Sequence, residues 1–236
     1  AVGDAGVTVL PNGNFLVRSF NWNNGAALDA GAVTWGSAMT GFIGGPVVTL
    51  SPSNSLVGAS TDDGFPIFIT ALTNGHFVVT FSDWDNGPAT DAGAVTWGDG
   101  VKGVTGVVSP SNSLVGSTAG DQVGRQGVIP LTNGNYVVNS ILWDNGGIVN
   151  RGAVTWGNGL TGISGPVSTD NSLFGSTQND MVGSTEVQAL TNGNYVVVSR
   201  LPGGDGVGIG AQVVVAHAET VEHAAVEGTV VQAVLQ

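Results

Sequence analysis

Three tryptophans recur in one short motif: Trp22-Asn23-Asn24-Gly25, Trp84-Asp85-Asn86-Gly87 and Trp143-Asp144-Asn145-Gly146. An indole on a loop beside amide and carboxylate groups can stack on a pyranose ring while its polar neighbours take the hydroxyls. The candidate ligand-binding residues are therefore Trp22, Asn24, Trp84, Asp85, Asn86, Trp143, Asp144 and Asn145. The competing reading packs each indole between neighbouring repeats, where one Trp covering roughly 200 Å² contributes on the order of 5 kcal/mol gross. A second set, Trp35, Trp97 and Trp156, alternates within an expected strand and reads as core.

Other chemistry has less to work with. Asp83, Asp85 and Asp91, with Asp29 and Asp144 in other copies, offer carboxylates for a cation, but Asn23 replaces Asp85 and Asn150 replaces Asp91, so turn capping is the favoured reading. Catalysis needs paired carboxylates, or a nucleophile with a base, in a singular environment. His76 falls at a turn position held by Asn in the other copies and reads as a surface substitution. His217 and His223 lie with Glu219, Glu222 and Glu227 in a segment that reads as a solvated acidic loop. No catalytic residue, metal ligand or cofactor is assigned.

Composition narrows the classes. Five Lys plus Arg against 17 Asp plus Glu give a formal net charge of −12, which repels polyanions and argues against a nucleic-acid partner. The chain has no Cys, which removes disulfides and thiolate chemistry. Hydrophobic residues at 42% with six Trp argue for a folded chain, while 39 Gly in 236 residues argue for turns over helices. No apolar run approaches the roughly 18 residues of a membrane helix, and no signal peptide opens the chain at Ala1. Low Lys, no Cys and an acidic balance fit a secreted or bacterial surface protein.

These residues sit on a repeat. Asn-Gly recurs at Asn12, Asn74, Asn133 and Asn192, each time with an aromatic two positions after the Gly: Phe15, Phe77, Tyr136 and Tyr195. Gly-Ala-Val-Thr-Trp-Gly begins at Gly31, Gly93 and Gly152, and Asn-Ser-Leu at Asn54, Asn112 and Asn171. Asn-Gly between apolar runs predicts a hairpin with a type I′ turn joining strands at 128–131 and 136–140. A third strand is expected at 153–156 and a fourth at 172–175. A four-stranded meander cannot bury both faces alone, so copies must stack.

The expected architecture is all-β: one domain, residues 1–236, of four units of about 59 residues at 1–60, 61–119, 120–178 and 179–236. Four-stranded units arranged radially give a four-bladed β-propeller, with a β-solenoid or part of a larger propeller as alternatives. The fourth unit diverges: Pro202 to Gly206 replaces the Trp motif, Gln212-Val213-Val214-Val215 replaces the Val-Thr-Trp strand, and a Val-rich strand is expected at 228–235.

The order Asp121-Gln122-Val123-Gly124, apolar strand, Asn-Gly turn, Tyr-Val-Val strand, Gly-Ala-Val strand and Leu-x-Gly resembles the FG-GAP repeat of integrin-α-type β-propellers. The blocks Tyr-Val-Val, Trp-Asp-Asn-Gly, Gly-Ala-Val-Thr-Trp-Gly and Asn-Ser-Leu-Val-Gly more closely resemble the tandem repeats of large bacterial filamentous-haemagglutinin-like surface adhesins. The resemblance implies a propeller, an extracellular location and a binding or structural role. FG-GAP blades often hold calcium between their first two strands, but the matching turns here carry no carboxylate, so that role is not transferred. The expected function is non-enzymatic adhesion, with a glycan or surface protein as partner and self-association open. A ligand-free structural spacer is the alternative, and a polysaccharide-active enzyme using the fourth unit is a third.

Overall fold

The computed structural model describes residues 2–200 and 211–216, and all of this is strand, turn and loop. The expected features at 202–206 and 228–235, together with the acidic segment that holds His217, Glu219, Glu222, His223 and Glu227, lie outside the described residues.

The first unit contains β1 (Val7–Val9), β2 (Phe15–Ser19), β3 (Ala32–Ser37), β4 (Gly41–Phe42) and β5 (Leu56–Val57). The second contains β6 (Ile67–Ala71), β7 (Phe77–Phe81), β8 (Ala94–Gly98), β9 (Gly106–Val107) and β10 (Ser113–Val115). The third contains β11 (Val128–Pro130), β12 (Tyr136–Ser140), β13 (Ala153–Gly157), β14 (Gly165–Pro166) and β15 (Ser172–Phe174). The fourth contributes β16 (Glu186–Ala189), β17 (Tyr195–Arg200) and β18 (Ala211–Ala216). In the first three units four strands run as an antiparallel meander, for example β11-β12-β13-β15.

The units also share strands. β9 leaves the second unit to pair parallel with β5 of the first, and β14 of the third pairs parallel with β10 of the second. Each of these two sheets is thus finished by the unit that follows. The amides of Val108 and Val167 extend the interlock, donating to the carbonyls of Val57 and Val115.

The hairpin turns differ from the expected type I′. Gly13, Gly75, Gly134 and Gly193 have φ near +85 to +90°, but the Asn before each keeps a negative φ. The Gly13 amide donates to the Leu10 carbonyl, and the Leu10 amide to the Asn14 carbonyl, which makes a three-residue loop with a left-handed Gly. This geometry frees the Asn side chain for other partners. Asn12 Oδ1 accepts the Asn14 amide, while its Nδ2 donates to the Gly100 carbonyl of the next unit at 2.8 Å.

The aromatic of each hairpin is fixed by the same register. Phe15, Phe77 and Tyr136 stand opposite Gly36, Gly98 and Gly157, and a Cβ on any of these glycines would run into the ring. The Asn-Gly-x-aromatic and Trp-Gly signatures are therefore two halves of one packing unit.

Strand alternation decides where the core lies. On β7, Phe77, Val79 and Phe81 point back into a cluster with Leu16, Val33, Trp35 and Leu56 of the first unit, while Val78 points forward into a cluster with Tyr136 and Val138 of the third. β12 repeats this: Tyr136 and Val138 face back, and Val137 faces forward onto Tyr195 and Val197. All five residues of β7 and of β12 are buried. The hydrophobic core thus lies between consecutive units, and burial on both strand faces follows from having a neighbour on each side.

Candidate functional site

Each Trp loop begins where its second strand ends and closes on itself. The Asn86 amide and carbonyl pair with those of Ala89, and Asn24 and Asn145 do the same with Ala27 and Ile148. Across the loop, a side-chain oxygen at the position after Trp accepts an amide six residues on: Asn23 takes Asp29, Asp85 takes Asp91, and Asp144 takes Asn150. Asp29, Asp91 and Asn150 all have φ near +50°, a region that Asp and Asn tolerate better than other side chains. The Asn-for-Asp exchanges along the repeat follow from this, because both positions use what the two residue types share. Among the described residues, no group of three or more His, Cys, Asp or Glu could hold a metal ion.

Trp84 is 3% exposed and Trp143 2%. Both point back between units, Trp84 into the cluster with Leu16 and Leu56, Trp143 into that with Leu114 and Val78. A ring so enclosed has no face on which a sugar can stack, so these indoles act as core. Trp22, on the first unit, is only partly buried against Ala32, Leu50 and Val57. The amide nitrogens of Asn24 and Asn86 donate to the carbonyls of Gly58 and Gly116, tying each loop to the one that leaves the fourth strand. Asp85, Asp144 and Asn145 are half-buried.

The residues that organise this region escaped the list of candidates. Asp63 and Asp121 are 0 and 1% exposed. One carboxylate oxygen of Asp63 accepts the amides of Ala59 and Ser60, and the other accepts the amide of Asp85 at 3.0 Å. Asp121 does the same with Ser117, Thr118 and Asp144. Burial pushes the Asp63 carboxyl up to about 6 against the lowering effect of its three backbone donors, with the Asp85 charge adding to the rise. Asp121 is raised for the same leading reason. The sequence carried a signal, since an Asp follows the Asn-Ser-Leu strand at a near-constant distance, but spacing alone does not say that the carboxylate is inside.

His76 also proves to be built in. Its Nδ1 accepts the Gly100 amide at 3.0 Å, the bond that Asn135 Oδ1 makes with the Gly159 amide and Asn14 Oδ1 with that of Ala38. The expected surface substitution is a change of acceptor within a geometry that three units share.

The second Trp set faces forward. Trp35 and Trp97 donate their Nε1 protons to the carbonyls of Gly100 and Gly159 in the following unit. Trp97 is nevertheless partly exposed, where Trp84 and Trp143 are not. It lines an open groove of about 310 Å³ between the second and third units, with Asp99, Ser111, Asn112, Thr161 and Ile163.

Three successive segments of the chain, residues 9–66, 71–125 and 130–184, match one family model, described as a repeat of unknown function (DUF5650). The matches cover well over half of the chain, which therefore belongs to this family as a tandem array. No curated protein matches it.

Proposed function

We propose that this member of the DUF5650 repeat family is a non-enzymatic structural module, a stiff spacer of interlocked units that works at a secreted or cell-surface location. The observation that carries this reading is the exchange of strands, β9 onto β5 and β14 onto β10, which joins the units through backbone hydrogen bonds as well as through side chains. The motif with the best prospects for ligand chemistry is spent on the same joints, with Trp84 and Trp143 inside and Asp85 and Asp144 closing their own loops.

Exposure supports an open stack of units over a closed four-bladed ring. In a ring, the fourth unit would cover the outer side of β1, where Val7 and Val9 are 59 and 68% exposed. Stretching single molecules of the full chain tests the spacer role. The units should resist extension together and lengthen in one large step; extension at low force in small independent steps would contradict it.

A second reading, adhesion to a glycan or surface protein, is favoured by the Trp97 groove, which an indole lines together with Asp99, Asn112 and Thr161. Binding on a glycan array that disappears in Trp97→Phe, with the fold retained, would establish it. Array binding that Trp97→Phe leaves intact would move the site elsewhere.

A further inference from the structure

We propose that the leading face of the first unit is a docking face for a further tandem unit of the same repeat. This rests on the interlocked-array reading and extends it to a specific surface.

The two junctions with fully described partners, first to second and second to third, show what a leading face does when occupied. In the second and third units, the inward residues of the hairpin, Phe77 and Val79 in one and Tyr136 and Val138 in the other, are all 0% exposed. Their counterparts by register in the first unit, Phe15 and Val17, are only half-buried. On the partner strand, Val128 is 9% exposed, while the equivalent Val7 is 59% exposed. Trp22 is partly buried where Trp84 and Trp143 are enclosed. The face has the same apolar chemistry as its equivalents, and among the described residues it lacks only the cover.

Its polar groups repeat the pattern. Counting back from Leu56, Leu114 and Leu173, the residues Val48 and Thr49 occupy the place of β9 and β14, yet among the described residues no strand runs beside them. Leu50 corresponds to Val108 and Val167, whose amides donate to the preceding unit. Asn23 corresponds to Asp85 and Asp144, whose amides meet the carboxylates of Asp63 and Asp121. Ala38 corresponds to Gly100 and Gly159, whose carbonyls accept the indole N–H of the preceding unit.

The occupant is thereby defined by its own chemistry. It presents a fourth strand for Val48 and Thr49, a carboxylate for the Asn23 amide and an indole N–H for the Ala38 carbonyl. Residues 62–121 of this chain carry all three, in Leu114 and Val115, Asp121 and Trp97.

The test joins a second copy of residues 62–121 directly ahead of Ala1 of the full chain and follows amide hydrogen exchange. The amides of Asn23 and Leu50 should slow at least tenfold relative to the unextended chain. In the extended chain carrying Val7→Asp and Val9→Asp, that protection should be lost, whereas the same pair of substitutions in the unextended chain should leave its stability unchanged. Exchange at Asn23 and Leu50 that is the same with and without the added copy, or protection indifferent to Val7→Asp and Val9→Asp, overturns the proposal. Slow exchange at Val108 and Val167 in the unextended chain serves as the separate measure of the array, so a failed docking face is distinguishable from a failed array.

Discussion

The buried carboxylate of Asp121 accepts the backbone amide of Asp144 at 3.0 Å, and Asp63 holds Asp85 in the same way one unit earlier. Each bond ties the loop leaving one unit's last strand to the loop that follows the next unit's hairpin. The same carboxylate holds two amides of its own loop, so removing it leaves three donors to find acceptors. Asp121→Ala should therefore lower stability by about 3 kcal/mol, at roughly 1 kcal/mol per orphaned, part-buried amide. Urea denaturation measures this; a loss under 1 kcal/mol would mean that water replaces the carboxylate.

Asp63 gives the array a pH dependence. Its carboxyl is raised from 3.8 to about 6 in the folded chain, so the native state binds the proton more tightly than the unfolded chain does. The associated stability is fully present below about pH 4 and is lost as pH rises through 6. A shift of about two units corresponds to about 3 kcal/mol. The difference in unfolding free energy between the native chain and Asp63→Asn should change by that order between pH 4 and pH 7. A constant difference would show that the carboxyl titrates normally.

Gly157 is held to Gly by the ring of Tyr136 lying across it. Gly157→Ala should cost about 1–3 kcal/mol, the usual range for forced overpacking. Tyr136→Phe should be nearly neutral, because Phe15 and Phe77 fill the same place in the other units. Thermal unfolding of the two variants distinguishes this ring-on-glycine contact from a general intolerance of the strand.

Trp143 serves as core, so Trp143→Ala should cost about 3–5 kcal/mol. Fluorescence-detected urea unfolding reads this directly. A variant that keeps wild-type stability would return the indole to the list of ligand-binding candidates.

The legible part of this protein was the repeat and its strands. Asn-Gly, the aromatic after it, Val-Thr-Trp and Asn-Ser-Leu each mark a backbone event that local sequence dictates, and the strands fall beside them. The strand exchange was not legible, because β9 and β14 are two-residue segments such as Gly106-Val107 with no alternation to read. The burial ranking of the two Trp sets also came out reversed in part. Trp97 and Trp156, on a strand, are more exposed than Trp84 and Trp143, on loops: Trp97 lines the open groove between two units, while the loop indoles lie inside the clusters between them. The side-chain bonds of Asn12 and Asn74 to the next unit were hidden behind the more familiar role of Asn in a turn.

The units are joined through shared sheets, and the amides of Val108 and Val167 report on that joint. Native-state hydrogen exchange should find both as slow as the amides of β7 and β12, opening only with global unfolding. Exchange of Val108 and Val167 at the rate of an exposed loop, with β7 and β12 still protected, would mean that the units are separate meanders and would contradict the interlock.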